Sequence, residues 1–478
     1  MAVFIRSPGN SCRSFVFQRS STMRHIYFCL FLLIHISAFS QVAINSSGSN
    51  PTPSSMLDVS STSKGMLIPR MTSAERKAIQ NPATGLLVFD TDRGAMLMFD
   101  GYEWRTFAMA LENYSAPVIR HPLGTGTYAS NFGAAVAIHG NYAVVGAPGD
   151  SANGVYCGTA YVFKKESGSW KQMARLFVPN GATYDSFGIS VDIWNDYIVV
   201  GAPNHNIFGA LRGKAYVFKR AGETWDMIAG LQASNGLDGD KFGASVAIDA
   251  SVIVIGAPNR KVGVNPGAGT VYAFTLSHGQ WGEQAFFASP NYGTNYHFGT
   301  AVDISDSMLI ASSPHAKALN AAYYDIGVVY TFVLHVNNQW LQNVFFQSPF
   351  EPGDEYGSSV AISGSKIAIG SNGPTGGWTM HYRDNQGWHP TGGGLGLNEL
   401  GLGYSVATDG DRYYIGCRKF NDNRGKLYIF SETFQTIYPP NPDIGSGFGF
   451  AVAAHNGNYI VGAPTSWYEQ YVSFGYVD

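Results

Sequence analysis

A two-part phrase constrains this chain more than any other feature. Its first half recurs as FGAAV (132–136), FGISV (187–191), FGASV (242–246), FGTAV (298–302), YGSSV (356–360), LGYSV (402–406) and FGFAV (448–452). Thirteen residues after each of those glycines stands the second half. It reads GAP at 146, 201, 256 and 462, with weaker forms SSP at 312, GSNGP at 370 and GCR at 416. Successive copies begin 55, 55, 56, 58, 46 and 46 residues apart. An offset kept constant while the spacing between copies varies marks one structural unit joined by variable loops.

Each unit carries more. A third apolar segment follows the loop, as GTAYVF (158–163), GKAYVF (213–218), GTVYAF (269–274), GVVYTF (327–332) and GKLYIF (425–430). A Trp often opens a fourth, at Trp170, Trp225, Trp281, Trp340 and Trp388. Four short strands per unit, with polar or Gly-rich turns, are the content of one propeller blade. The expected fold is all-β, a seven-bladed β-propeller of four-stranded blades over 115–478, with a small N-terminal lead-in segment. The seventh unit stops at its third strand, YVSFGYVD (471–478), and SAPVIRHP (115–122) stands in register with the fourth strands. A strand within 115–123 is therefore expected to complete blade seven, since an open sheet edge is avoided in such folds.

Composition fits strands and turns. Among 478 residues there are 57 glycines, and only 13% are charged; that share is about half the usual one. Thirty basic against 33 acidic side chains give no electrostatic footprint for nucleic acid.

The N-terminus reads as a targeting segment. Within 23–41, MRHIYFCLFLLIHISAFSQ, Arg24 and His25 precede an apolar run over 26–39 that ends in small residues. This is the order of a secretory signal peptide, with cleavage expected before Gln41 and Met23 as a plausible start. Fourteen apolar residues fall short of the roughly 20 a spanning helix needs. Residues 1–40 are thus assigned to an upstream extension and signal peptide, and the mature chain is expected to carry no membrane span. Cleavage removes four arginines and no acidic residue, leaving 26 basic against 33 acidic side chains. Only Cys157 and Cys417 remain, too few for a disulfide framework, and they read as small buried apolar residues.

The two phrases resemble the FG-GAP repeat, the unit of the integrin α-subunit propeller and of many secreted bacterial proteins. The resemblance covers roughly 115–478. It implies a secreted or cell-surface, extracellular bacterial setting and a role in binding or adhesion. Many members hold calcium in an Asp-x-Asp-x-Asp-Gly loop between the phrases. Here that connection is as short as IHGNYAVV (138–145) or IWNDYIVV (193–200). Calcium wants six to eight oxygens, so no metal is carried over and no cofactor is expected. TDGDR (408–412) and LDGDK (237–241) read as Asp-Gly turns. The segment 41–114 resembles the lead-in of secreted Bacteroidetes-type surface proteins and the heads of tail-fibre-like proteins. Within it, TSAERKAI (72–79) opens on a capping-box pattern.

Strand parity locates the expected binding face. The first-to-second and third-to-fourth turns leave one end of the ring and are short. The other connections leave the opposite end and are long and varied, the usual place for recognition on a rigid scaffold. Their candidates are Tyr156, Tyr184, His205, Asn206, Phe208, Arg260, Tyr292, Tyr296, His315, Tyr323, Tyr324, Trp467 and Tyr468. Aromatic faces beside hydrogen-bonding groups suit sugar rings or peptides; the alternative is that several pack loop against blade. The expected partner is an extracellular protein or a glycan, through a binding or adhesion function without catalysis. Two alternatives stay open. One is lectin-like glycan binding; the other is a polysaccharide-degrading lyase, assembled from His315, Tyr323 and Arg260 with His297 nearby. Neither a Gly-x-Ser-x-Gly elbow nor a histidine pair of metal-ligand spacing appears.

Overall fold

The computed structural model describes residues 42–45 and most of 57–476, the longer exceptions being 107–117, 121–129, 318–325, 396–400, 440–445 and 465–469. The leader expected over 1–40 lies outside the described residues. The chain divides into two compact units, Met1–Asn113 and Tyr114–Asp478.

In the first unit, Arg70–Met71 pairs in parallel with Leu87–Asp90, which continues antiparallel into Ala95–Phe99 and Trp104–Thr106. A helix, Ser73–Lys77, begins at the TSAE sequence. Thr72 accepts the Glu75 N–H, and the Glu75 carboxylate accepts that of Thr72, a complete capping box. Arg76 is buried on Asp90 at 2.8 Å, and Ser73 Oγ donates to the same carboxylate.

Among the described residues of the second unit stand seven four-stranded sheets. Blade 3 is representative: Ser245–Asp249, Val252–Ala257, Thr270–Ser277 and Gln280–Phe287, each antiparallel to the next. The four-residue-long or longer inner strands touch in cyclic order, from the first sheet to the last and back to the first. The last sheet consists of Ala451–His455, Asn458–Ala463 and Tyr471–Tyr476, and its outer strand is Val118–Arg120. Val472 pairs directly with Ile119, so two segments more than 350 residues apart share one ladder.

The constant offset of 13 is a hairpin register. Gly133 N–H donates to the Gly146 carbonyl at 3.0 Å, and Gly188 and Gly243 repeat the bond to Gly201 and Gly256. Between the two glycines lie two short strands and a two-residue turn, a length the hairpin cannot change. Phe187 of the phrase is fully buried and meets Phe218 edge-on at 6.1 Å. The same burial holds for Phe132, Phe242, Phe298, Tyr356 and Phe448. Cys157 and Cys417 are both buried.

Candidate functional site

On the long-loop face, two of the candidate residues serve the scaffold. His205 Nδ1 lies 2.7 Å from Asp185, whose carboxylate also accepts the Ala182 N–H at 2.9 Å. Arg260 lies 2.6 Å from Asp240, which accepts the Leu237 N–H at 2.7 Å. Both carboxylates are buried. Each pair lashes the loop entering a blade to the loop between that blade's second and third strands. Asn206 caps its own loop by accepting the Gly209 N–H. Tyr296 packs against the core of the fourth blade, whereas Tyr292 is exposed. His315 meets His297 edge-on at 5.3 Å. Burial, and then the neighbouring His315, hold the His297 pKa below its ordinary value. Phe208, Tyr323, Tyr324, Trp467 and Tyr468 lie outside the described residues.

Tyr156 and Tyr184 form a different kind of contact. Their rings stack 5.4 Å apart at 16°, and Tyr184 is 60% exposed. Both backbones are left-handed, with φ of 51° and 69°. Tyr184 stands three residues before a Phe-Gly pair, where other blades place Gly239, Asn295 and Gly353 at φ of 80°, 59° and 89°. A bulky residue is costly there, by about 1–3 kcal/mol. The stack joins a loop of blade 1 to the loop that enters blade 2.

The ring axis opens on this same face into a cavity of about 510 Å³, lined by the starts of all seven inner strands. Sevenfold equivalence fails at one side of it. The residue after the Phe-Gly pair is Ala134, Ile189, Ala244, Thr300 or Ser358 in blades 1–5, but Tyr404 and Phe450 in blades 6 and 7. The proline of the second phrase is replaced by Asn372 in blade 5 and by Arg418 in blade 6. Tyr404 and Phe450 lie 4.9 Å apart, and the Arg418 guanidinium sits 3.7 Å from the Tyr404 ring centre. Tyr404, Arg418 and Asn372 stand in copies whose second phrase is weak, and Phe450 in a full copy where it reads as one more aromatic. Aligning the seven units position by position isolates them.

The opposite mouth, at the short turns, is a cavity of about 370 Å³ holding Asp192, Asp249 and Asp303. Asp192 accepts N–H bonds from Ile193 at 2.8 Å and, across to the next blade, from Ile248 at 2.7 Å. Asp303 repeats this with Ile304 and Ile362. Enclosure in the narrow channel, then the charge of Asp303, push the Asp192 pKa up to about 8. Enclosure likewise raises Asp303 to about 7. The His139 and His455 rings lie 4.2 Å apart there, tilted by 40°. His139 accepts the Asn195 N–H and His455 that of Gly140, again between blades. Desolvation, with His455 second, lowers His139 to about 4. Among the described residues no cluster of three or more His, Cys, Asp or Glu is placed to hold a metal.

The FG-GAP repeat profile matches at 126–163, 170–218 and 225–274, the stretches that fold as the first three blades. The propeller carries FG-GAP repeats. Ahead of the FG-GAP propeller, residues 43–117 match the profile of a phage tail like trimerisation region. No curated protein matches the chain significantly. Among solved structures, similar traces include Saccharomyces cerevisiae Sqt1, at 12% identity and a TM-score of 0.43 over 74% of this chain and 98% of that one. A chain of the mitotic checkpoint complex is similar at 14% identity and a TM-score of 0.45, over 76% of this chain and 91% of that one. Among the described residues no helix is long and apolar enough to cross a membrane.

Proposed function

We propose that the protein is an exported bacterial binding module that works as a trimer, three FG-GAP propellers presenting their long-loop faces to one extracellular or cell-surface target. The observation that carries this reading is the Tyr156–Tyr184 stack, an exposed aromatic platform held at a conformational cost that packing does not require. The likeness of 43–117 to a trimerisation region supports the assembly. Three weak sites on one assembly gain avidity of about 10²–10⁴ over a single site. The ligand class that suits a flat tyrosine platform is a glycan, and a protein partner is the other reading.

Light scattering on residues 41–478 and on 115–478, with both probed on an array of glycans and purified surface proteins, tests this. The expected result is a trimer and a monomer, with array binding at least tenfold weaker for the monomer. Binding is lost in the Tyr156→Ala/Tyr184→Ala variant of the trimer. A monomeric 41–478, or a double variant that binds unchanged, contradicts the proposal. So does polysaccharide depolymerisation that His315→Ala abolishes.

A further inference from the structure

The cup at the axial mouth is chemically unlike the rest of the ring. The guanidinium of Arg418 stacks on Tyr404 and lies 5.4 Å from the ring centre of Phe450. It also hydrogen-bonds the Tyr404 hydroxyl, while its Nε is buried without a hydrogen-bond acceptor. Asn372, which lines the axial mouth, has a buried Oδ1 with no donor. Both side chains replace a proline that five blades keep. A buried donor and a buried acceptor left open each cost stability. Ligand groups of the opposite kind would relieve both.

Glu355 and Ser358 line the same mouth. The charge of Glu355 is felt at the Tyr404 hydroxyl, whose pKa burial raises, so Tyr404 stays neutral. The mouth thus offers the acceptors Asn372, Glu355 and Ser358 and the rings of Tyr404 and Phe450, with the Arg418 guanidinium packed on those two rings. Guanidinium matches carboxylate in a two-pronged fork. A planar carboxylate on a ring rich in hydroxyls and C–H faces satisfies the whole set. An acidic peptide supplies the carboxylate but not the neighbouring hydroxyl donors.

We propose that the cup formed by Arg418, Tyr404, Phe450, Asn372 and Glu355 binds a uronic-acid residue of an acidic polysaccharide. This rests on the glycan reading above but on residues separate from the Tyr156–Tyr184 stack. In the bound state the sugar carboxylate accepts from Arg418, and a ring hydroxyl donates to Asn372 Oδ1.

The test is a calorimetric titration of residues 41–478 with oligogalacturonate, oligoglucuronate and alginate oligomers. Neutral oligosaccharides of matched length and a short poly-aspartate peptide serve as comparisons. At least one acidic sugar should bind tenfold or more tightly than its neutral counterpart and than the peptide. That preference should vanish in Arg418→Gln, persist in part in Arg418→Lys, and persist fully in Tyr156→Ala/Tyr184→Ala. Loss of the tyrosine variant's binding to neutral glycans and proteins on the array, with the acidic preference of the cup intact, separates failure at one site from failure at the other. Should Arg418→Gln not fold, resonance shifts of Tyr404 and Phe450 in the wild-type chain on adding the acidic sugar carry the same information. Equal binding of acidic and neutral sugars, stronger binding of the peptide, an Arg418→Gln variant with unchanged selectivity, or unmoved Tyr404 and Phe450 resonances would each overturn the proposal.

Discussion

Gly146 of the first blade lies against Gly188 of the second so closely that a β-carbon on Gly146 would stand 2.0 Å from the Gly188 carbonyl oxygen. The contact recurs between Gly201 and Gly243, Gly256 and Gly299, Gly370 and Gly403, and Gly416 and Gly449, and Gly462 closes it onto Gly133. The glycines of both phrases are thus the two sides of one blade-to-blade joint. Near the axis the sheets converge, and backbone must touch backbone. Gly201→Ala is expected to lower stability by about 1–3 kcal/mol or more, since backbone rather than a movable side chain blocks the methyl. Thermal unfolding of the purified propeller measures it, with Gly168→Ala as a comparison at an open turn where only the left-handed φ of 81° is at stake.

Deleting 115–123 removes the outer strand of the last sheet and exposes the Tyr471–Tyr476 edge. In a closed ring the loss is shared by every blade, so a single cooperative transition at lower temperature is expected. An unchanged melting temperature would mean that the strand is dispensable.

The buried Arg260–Asp240 pair should be sensitive to loss of one partner. Asp240→Ala leaves a guanidinium enclosed beside a loop that has also lost its Leu237 bond. A cost of about 3–5 kcal/mol follows, read as a shift in the denaturant midpoint. Tyr292→Ala, at an exposed position of the same face, is expected within about 0.5 kcal/mol of the parent.

Much of this was legible in the sequence, and the exceptions have physical causes. The hairpin register fixes the offset of 13, and the alternation of large and small residues marks the crowded inner strands. Asp192 and Asp303 were not legible as channel groups, although VDI at 191–193 and 302–304 stands where blades 1, 3 and 5 read VAI. Their meaning depends on the neighbouring blade supplying Ile248 and Ile362 as donors, and one unit read alone does not contain that contact. His205 and Arg260 looked like free recognition groups for the same reason, because Asp185 and Asp240 lie 20 residues away in sequence.

Two axial groups give stability pH dependences of opposite sign. Asp192, raised to about 8, keeps its proton in the folded chain at pH values where the unfolded chain has lost it. Stability therefore falls as pH rises from about 4 towards 8. His139, lowered to about 4, binds its proton less readily when folded, so stability falls as pH drops from about 6.5 to 4. The two slopes oppose each other between about pH 4 and 6.5, and above about 6.5 the Asp192 slope stands without that of His139. Relative to the parent, Asp192→Asn should lose less melting temperature as pH rises to about 8, and His139→Gln less as pH falls to about 4.

The most direct test of a ring closed by its distant ends is a cross-link between register partners Ile119 and Val472. In Ile119→Cys/Val472→Cys, antiparallel partners stand about 4.5–5.5 Å apart at Cα, within disulfide reach. Mild oxidation of the folded protein followed by peptide mass analysis should find the 119–472 disulfide in most molecules, with a raised melting temperature. Free thiols at both positions in the folded, oxidised protein would contradict the closure.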